Sequence, residues 1–265
     1  MFKFLHLLLA AGVLTLTSCS AMKKQAAVAT TTLPGKPAIK NLSARKFSET
    51  IRADYLLFLP QGYDAKQTNR WPVIVFLHGA GERGTNVWAA TIHGPTKFIE
   101  KNPDFPFILV TPLCPSGHKW SDEMVLGILD SVIAKYAVNT NRIYLTGLSM
   151  GGYGTWSLAT TYPERFAAVA PICGGEGNIG VALTMADKEK APALKKLPIW
   201  AFHGAKDNII AWEESQRMVE LLKQKGNSDV RFTLYPEATH NSWTATYDNP
   251  ELYEWFLKHE LKPVK

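Results

Sequence analysis

Between residues 54 and 236, short apolar runs alternate with longer segments whose apolar residues recur every three or four positions. The runs 54–60 (DYLLFLP), 72–78 (PVIVFLH), 107–113 (FILVTPL), 142–148 (RIYLTGL), 166–172 (FAAVAPI), 197–203 (LPIWAFH) and 230–236 (VRFTLYP) are rich in β-branched and aromatic residues. Gly, Pro or Asp bounds most of them, and each predicts a strand. Several are apolar at nearly every position, as strands covered on both faces should be. Between them, 122–138 places Val125, Leu129, Val132, Ile133 and Tyr136 on one helical face behind a Ser121 N-cap. Segment 211–226 predicts a helix closed by Gly226, and 249–261 one opened by Asn249 and Pro250. This alternation predicts an α/β architecture: a mostly parallel sheet with helices on both faces, its ligand beyond the carboxyl ends of the strands.

The pattern changes ahead of residue 45. Lys3 precedes an apolar stretch from Leu5 to Leu16, too short for a permanent membrane span, which reads as a secretory signal over 1–18. It ends in Leu16-Thr17-Ser18-Cys19, similar to the lipobox of bacterial lipoproteins, so Cys19 is the expected lipidated residue and membrane anchor. Ser20 follows it in place of the aspartate that retains many lipoproteins at the inner membrane, which favours the outer one. Residues 19–44 are rich in Ala, Thr, Pro and Lys without apolar periodicity and read as a tether. That leaves 45–265 as one globular domain.

The formal charge is +6, and removal of the signal leaves 28 basic against 23 acidic residues, spread along the chain rather than blocked. No nucleic-acid motif is present. Cys114 and Cys173 end strands that the parallel order separates by several spacings of about 4.8 Å. They are expected as free, buried thiols.

The candidate chemistry centres on Gly147-Leu148-Ser149-Met150-Gly151. A serine between glycines, directly after an apolar strand and before a helix-like segment, matches the G-x-S-x-G nucleophile elbow. Residues without Cβ let such a turn close, and the following helix points its N-terminus at the site. A serine hydroxyl attacks only once a base removes its proton, and the base needs a carboxylate to hold its tautomer. In this architecture the acid and then the histidine follow the serine. Of the later histidines, His203 ends a strand and His259 lies on the last helix, so His240, in a loop after the last strand, is the candidate base. Asp207 lies after a strand at the carboxyl edge, whereas Asp229 lies at the opposite edge and Asp187 and Glu176 have no fixed frame. The oxyanion donors are expected to be the amides of Met150 and of Ala80, with Gly81 the alternative. His78 reads as structural, and the histidines show no metal-ligand spacing, so neither metal nor cofactor is expected.

LHGAGERG, GLSMGGYGTW, FHGAKDNII and HNSW occur in the order seen in α/β-hydrolases, and the resemblance covers about residues 45–262. The chain resembles the secreted esterases of the polyhydroxybutyrate-depolymerase, feruloyl-esterase and dienelactone-hydrolase-like group, which includes phospholipase/carboxylesterase-like members. The resemblance implies an eight-stranded sheet and a serine carboxylesterase with Ser149 as nucleophile, Asp207 as acid, His240 as base, and Ala80 and Met150 as oxyanion donors. Dienelactone hydrolase itself uses a cysteine where this chain has Ser149, so its lactone substrate is not implied.

Only residues 174–196 are available for a cap, so no large lid is expected and the cleft should be open. Trp120 and Trp243 are placed near it as candidate substrate contacts for a sugar or an aromatic acid. The expected substrate is a carbohydrate- or polymer-linked acetyl or feruloyl ester. A prolyl-oligopeptidase-like peptidase, a lipase and a catalytically silent glycan-binding module are the alternatives.

Overall fold

The computed structural model describes residue 35 and residues 37–261, except 47, 48, 67, 100 and 103. Cys19, the signal and the tether up to residue 34 therefore lie outside the described residues. The chain runs β1 (Pro37–Lys46), β2 (Glu49–Phe58), β3 (Trp71–Leu77), α1 (Pro95–Ile99), β4 (Ile108–Pro112), α2 (Asp122–Lys135), β5 (Val138–Leu148), α3 (Met150–Thr161) and β6 (Ala168–Ile172). It continues through α4 (Asn178–Ala186), α5 (Ala191–Lys196), β7 (Ile199–Gly204), α6 (Glu213–Gln224), β8 (Val230–Tyr235), α7 (Trp243–Tyr247) and α8 (Pro250–Leu257). The strands form one eight-stranded sheet in the order β1-β2-β4-β3-β5-β6-β7-β8. Strands β3 to β8 pair in parallel, while β2 pairs antiparallel with both β1 and β4.

Each predicted strand coincides with an observed one, and the reason is visible in β3. Val73, Val75 and Leu77 enter one core with Ile128 and Trp156, while Ile74 and Phe76 enter the other with Tyr144 and Phe256. Side chains alternate between faces along a strand, so a sheet packed on both sides demands apolar residues at every position. The helix signals also hold locally. The Ser121 hydroxyl accepts from Met124 N, Asn249 caps α8 through Glu251 N at 3.0 Å, and Gly226 adopts φ 94° just past α6.

One expectation needs correction. Residues 37–44, assigned by composition to the tether, lie in β1, paired residue by residue with β2. An edge strand joined to a single neighbour can do without a long apolar run, so PAIKNLSARK carries little of the signal that marks the central strands. Segment 174–196, expected to supply at most a small cap, carries α4 and α5, two short helices. Cys114 and Cys173 are buried free thiols, as expected.

Candidate active site

The loops after β3, β5, β7 and β8 all emerge at the carboxyl edge of the parallel strands, and they bring Ala80, Ser149, Asp207 and His240 there. Ser149 stands between β5 and α3 with φ 52° and ψ −116°, a backbone conformation that disfavours any side chain. Its own amide is used internally, donating to Ile172 O at 3.0 Å and lying 3.3 Å from Cys173 Sγ. The turn is tight enough that a Cβ at Gly147 would overlap the Gly151 carbonyl, and one at Gly151 would overlap the Leu77 carbonyl. Both obstacles are backbone, which rotamer changes cannot relieve. Gly151→Ala is accordingly expected to destabilise the domain by about 3 kcal/mol; an unchanged urea unfolding midpoint would contradict this account of the elbow.

From Ser149 a chain of hydrogen bonds leads inward. His240 Nε2 lies 3.0 Å from Ser149 Oγ, and His240 Nδ1 lies 2.8 Å from Asp207 Oδ2. The Asp207 side chain is fully shielded from solvent, whereas His240 keeps partial access. Burial alone would push the Asp207 carboxyl upward, but hydrogen bonds from His240 and from the Ile210 and Ile209 amides outweigh it and hold it below the usual carboxylate range. The group is thus ionised at neutral pH and fixes Nδ1 of His240 as the protonated nitrogen, which leaves Nε2 free to accept a proton from Ser149. This arrangement has the parts that nucleophilic acyl transfer requires.

The loop after β3 is pinned from several sides. His78 is fully buried; its Nδ1 donates to Gly79 O at 2.7 Å and its Nε2 accepts from Cys114 N at 3.0 Å, so it is structural. Arg83 Nε donates to Ala80 O at 2.9 Å and its Nη1 to His118 O at 3.2 Å, which fixes the peptide plane beside Ala80. Ala80, Ser149 and Met150 line one cavity of about 840 Å³.

Trp120 lines this cavity as expected, its ring packed on His78 and its Nε1 donating to His78 O at 3.0 Å. Trp243 does not line it. The indole stands edge-on to the His240 ring at 5.2 Å and has His93 nearby at 5.4 Å, beside the imidazole. It opens α7, where the sequence reading places a loop.

Several cavity residues went unrecognised in the sequence. Tyr153 lies one helical turn after Ser149 and its ring faces the cavity; the four-residue spacing on a helix was a usable signal. Arg83, Lys119, Glu176, Glu214 and Arg217 give the walls charge of both signs. Arg217 joins the root of the cap to α6, donating to Glu176 O at 2.8 Å, to Glu214 Oε2 at 2.6 Å and to Asn178. Glu214 and Arg217 pair three residues apart on α6, a spacing the sequence could have shown, whereas Glu176 and Asn178 come from other elements and carry no such signal.

Among the described residues, Cys173, Asp207 and His240 place possible metal-ligand atoms within 4.8 Å of one another. Asp207 and His240 already hydrogen-bond each other, and burial pushes the Cys173 thiol up to about 12, so the set is occupied and its sulfur is a neutral thiol.

Burial also depresses the imidazole pKa of His78 and of His203. Unfolding returns each to an ordinary value of about 6.5. Their contribution to stability is complete above about pH 6.5 and is lost as pH falls through the depressed folded values, because only the unfolded chain then takes up protons. The thermal midpoint should therefore drop between pH 8 and pH 5; a midpoint that holds steady or rises would contradict the neutral burial of both rings.

A family model described as the dienelactone hydrolase family matches residues 115–252, just over half of the chain, and its span contains Ser149, Asp207 and His240. The chain belongs to the dienelactone hydrolase family. The chain is similar to a poly(3-hydroxyalkanoate) depolymerase C of Paucimonas lemoignei, 30% identical over 118 residues that make up 41% of this chain and 28% of the relative. It is also similar to a bifunctional acetylxylan esterase/xylanase of Neocallimastix patriciarum, 25% identical over 206 residues, 71% of this chain and 27% of the relative. The family member thus spans under a third of the length of either curated relative. Among solved structures, a thermostable esterase superposes with a TM-score of 0.66 at 31% identity, covering 84% of this chain and 63% of that one. The likeness places the family member among the α/β-hydrolases.

Proposed function

We propose that this chain is a serine carboxylesterase that releases acyl groups from carbohydrate- or polymer-borne esters through an acyl-enzyme on Ser149. The observation that carries the reading is the continuous relay from Ser149 Oγ through His240 to Asp207 at the mouth of an open cavity. Ser149 Oγ bonds to the ester carbonyl carbon as its proton passes to His240 Nε2. The carbonyl oxygen becomes an oxyanion that the amides of Met150 and Ala80 stabilise. Collapse expels the alcohol, which takes the proton from His240, and leaves Ser149 acylated. Water then repeats the sequence with His240 as base, releasing the carboxylic acid and restoring the hydroxyl.

The substrate class is supported by the wide cavity, by the aromatic faces of Trp120 and Tyr153 along it, and by the names of the polymer-acting relatives. The N-terminal pattern supports export and attachment through lipid on Cys19, most simply at the outer membrane. Palmitate labelling of the full chain that persists in Cys19→Ser would overturn the attachment.

The substrate test is a screen of acetylated xylan, feruloylated arabinoxylan, p-nitrophenyl esters and peptides with wild type and Ser149→Ala. Release of acetate or ferulate by wild type alone is the expected result. Ser149-dependent cleavage of peptides, with none of the esters, would replace the esterase reading with a peptidase one.

A further inference from the structure

His203 closes β7 four residues before Asp207 and is completely buried, yet the acyl-transfer steps do not use it. Its Nε2 lies 3.1 Å from Asp207 Oδ2 and 3.0 Å from Ile210 O. An ionised carboxylate and a carbonyl only accept, so Nε2 carries the hydrogen. Oδ2 of Asp207 therefore serves two imidazoles, His203 and His240, while Oδ1 takes the Ile209 and Ile210 amides at 2.9 and 3.0 Å. On its other side His203 Nδ1 lies 2.8 Å from Ser215 Oγ on α6, which is 2.7 Å from Gly174 O. Gly174 packs against the Gly152–Tyr153 backbone of α3. With the hydrogen on Nε2, Nδ1 accepts the one hydrogen of the Ser215 hydroxyl, so the ring is held between the loop that carries the acid and α6.

We propose that His203 is a positioning residue that sets the basicity of His240 by sharing the Asp207 oxygen on which His240 depends. The inference rests on the Ser149–His240–Asp207 reading and extends it. A second N–H on Oδ2 draws part of the carboxylate charge away from His240 and fixes the direction in which that oxygen faces. Without it the charge concentrates on His240, the imidazolium gains, and the base becomes active only at higher pH. The other titratable groups near Asp207 do not blur this effect. Cys173, at the end of β6, remains a thiol throughout the neutral range, burial raises Tyr153 on α3 above the ordinary phenol value, and Glu214 on α6 is paired with Arg217. Lys206 on the same loop is paired with Glu237 at the surface.

The test is the pH dependence of kcat/KM on p-nitrophenyl acetate for wild type, His203→Gln and His203→Phe, with thermal unfolding of each and Ser149→Ala alongside. Glutamine can place an amide N–H where Nε2 stands, whereas phenylalanine fills the ring volume with no donor. His203→Phe should move the acid limb upward by about half a unit to one unit and lower kcat about tenfold to a hundredfold; His203→Gln should recover most of both. If His203→Phe does not fold, His203→Asn takes its place, since its shorter amide reaches Ser215 but not Asp207, and the same upward movement is expected. A folded variant without the donor that keeps the wild-type limb and kcat would overturn the proposal. Turnover that survives in Ser149→Ala would instead overturn the underlying triad, whatever the His203 variants do.

Discussion

Ser149→Ala is expected to lower kcat on p-nitrophenyl acetate about a million-fold while the domain stays folded, because loss of the nucleophile removes the acyl-enzyme route altogether. The hydroxyl makes no bond that the fold needs. Among the described residues its one hydrogen-bond partner is His240, while the Ser149 backbone supplies the links to Ile172 O and Tyr153 N. Alanine keeps the Cβ and with it the strain at φ 52°. Ser149→Gly removes both, so it should be equally inactive yet more stable by about 1 kcal/mol, visible as a higher thermal midpoint. A glycine variant less stable than the alanine one would mean that the elbow is not strained.

The second large effect is expected at Asp207. Asp207→Asn preserves size but should lower kcat about ten-thousand-fold at neutral pH. The surroundings dictate which way the new amide faces. The Ile209 and Ile210 N–H groups both point at the Oδ1 position, so the asparagine oxygen must sit there and its NH2 must take the place of Oδ2. That NH2 meets Nδ1 of His240 and Nε2 of His203, two nitrogens that donate in the wild type. To avoid a donor facing a donor, His240 must shift its proton to Nε2, the side facing Ser149, where it can no longer accept the hydroxyl proton. A kcat within tenfold of wild type for a folded Asp207→Asn would show that the carboxylate does not fix the tautomer.

Much of the sheet was legible because burial on both faces leaves a dense apolar record, as in Val73 to Leu77 and Ile143 to Leu145. The edge left no such record: β1 is specified by its ladder to β2, an interaction among backbone groups that sequence composition does not carry. The nucleophile loop was legible for a steric reason, since the glycines at 147 and 151 sit against carbonyl groups that exclude a side chain. Chain order then singled out Asp207 and His240, which the fold brings to Ser149. His203 was set aside as a base from its place at a strand end. Its bond to Asp207 depends on how the following loop folds back, a tertiary fact with no local pattern. Trp243 shows a similar limit: the sequence reading places it in a loop, and the short helix α7 sets its indole edge-on to the imidazole.

The most direct measurement is to treat the folded protein with a fluorophosphonate and map the adduct by peptide mass spectrometry in wild type and His240→Ala. The account predicts a single adduct on the peptide that contains Ser149, formed quickly in wild type and almost absent from the variant. Ester turnover by a wild-type protein that carries no adduct at Ser149 would contradict it.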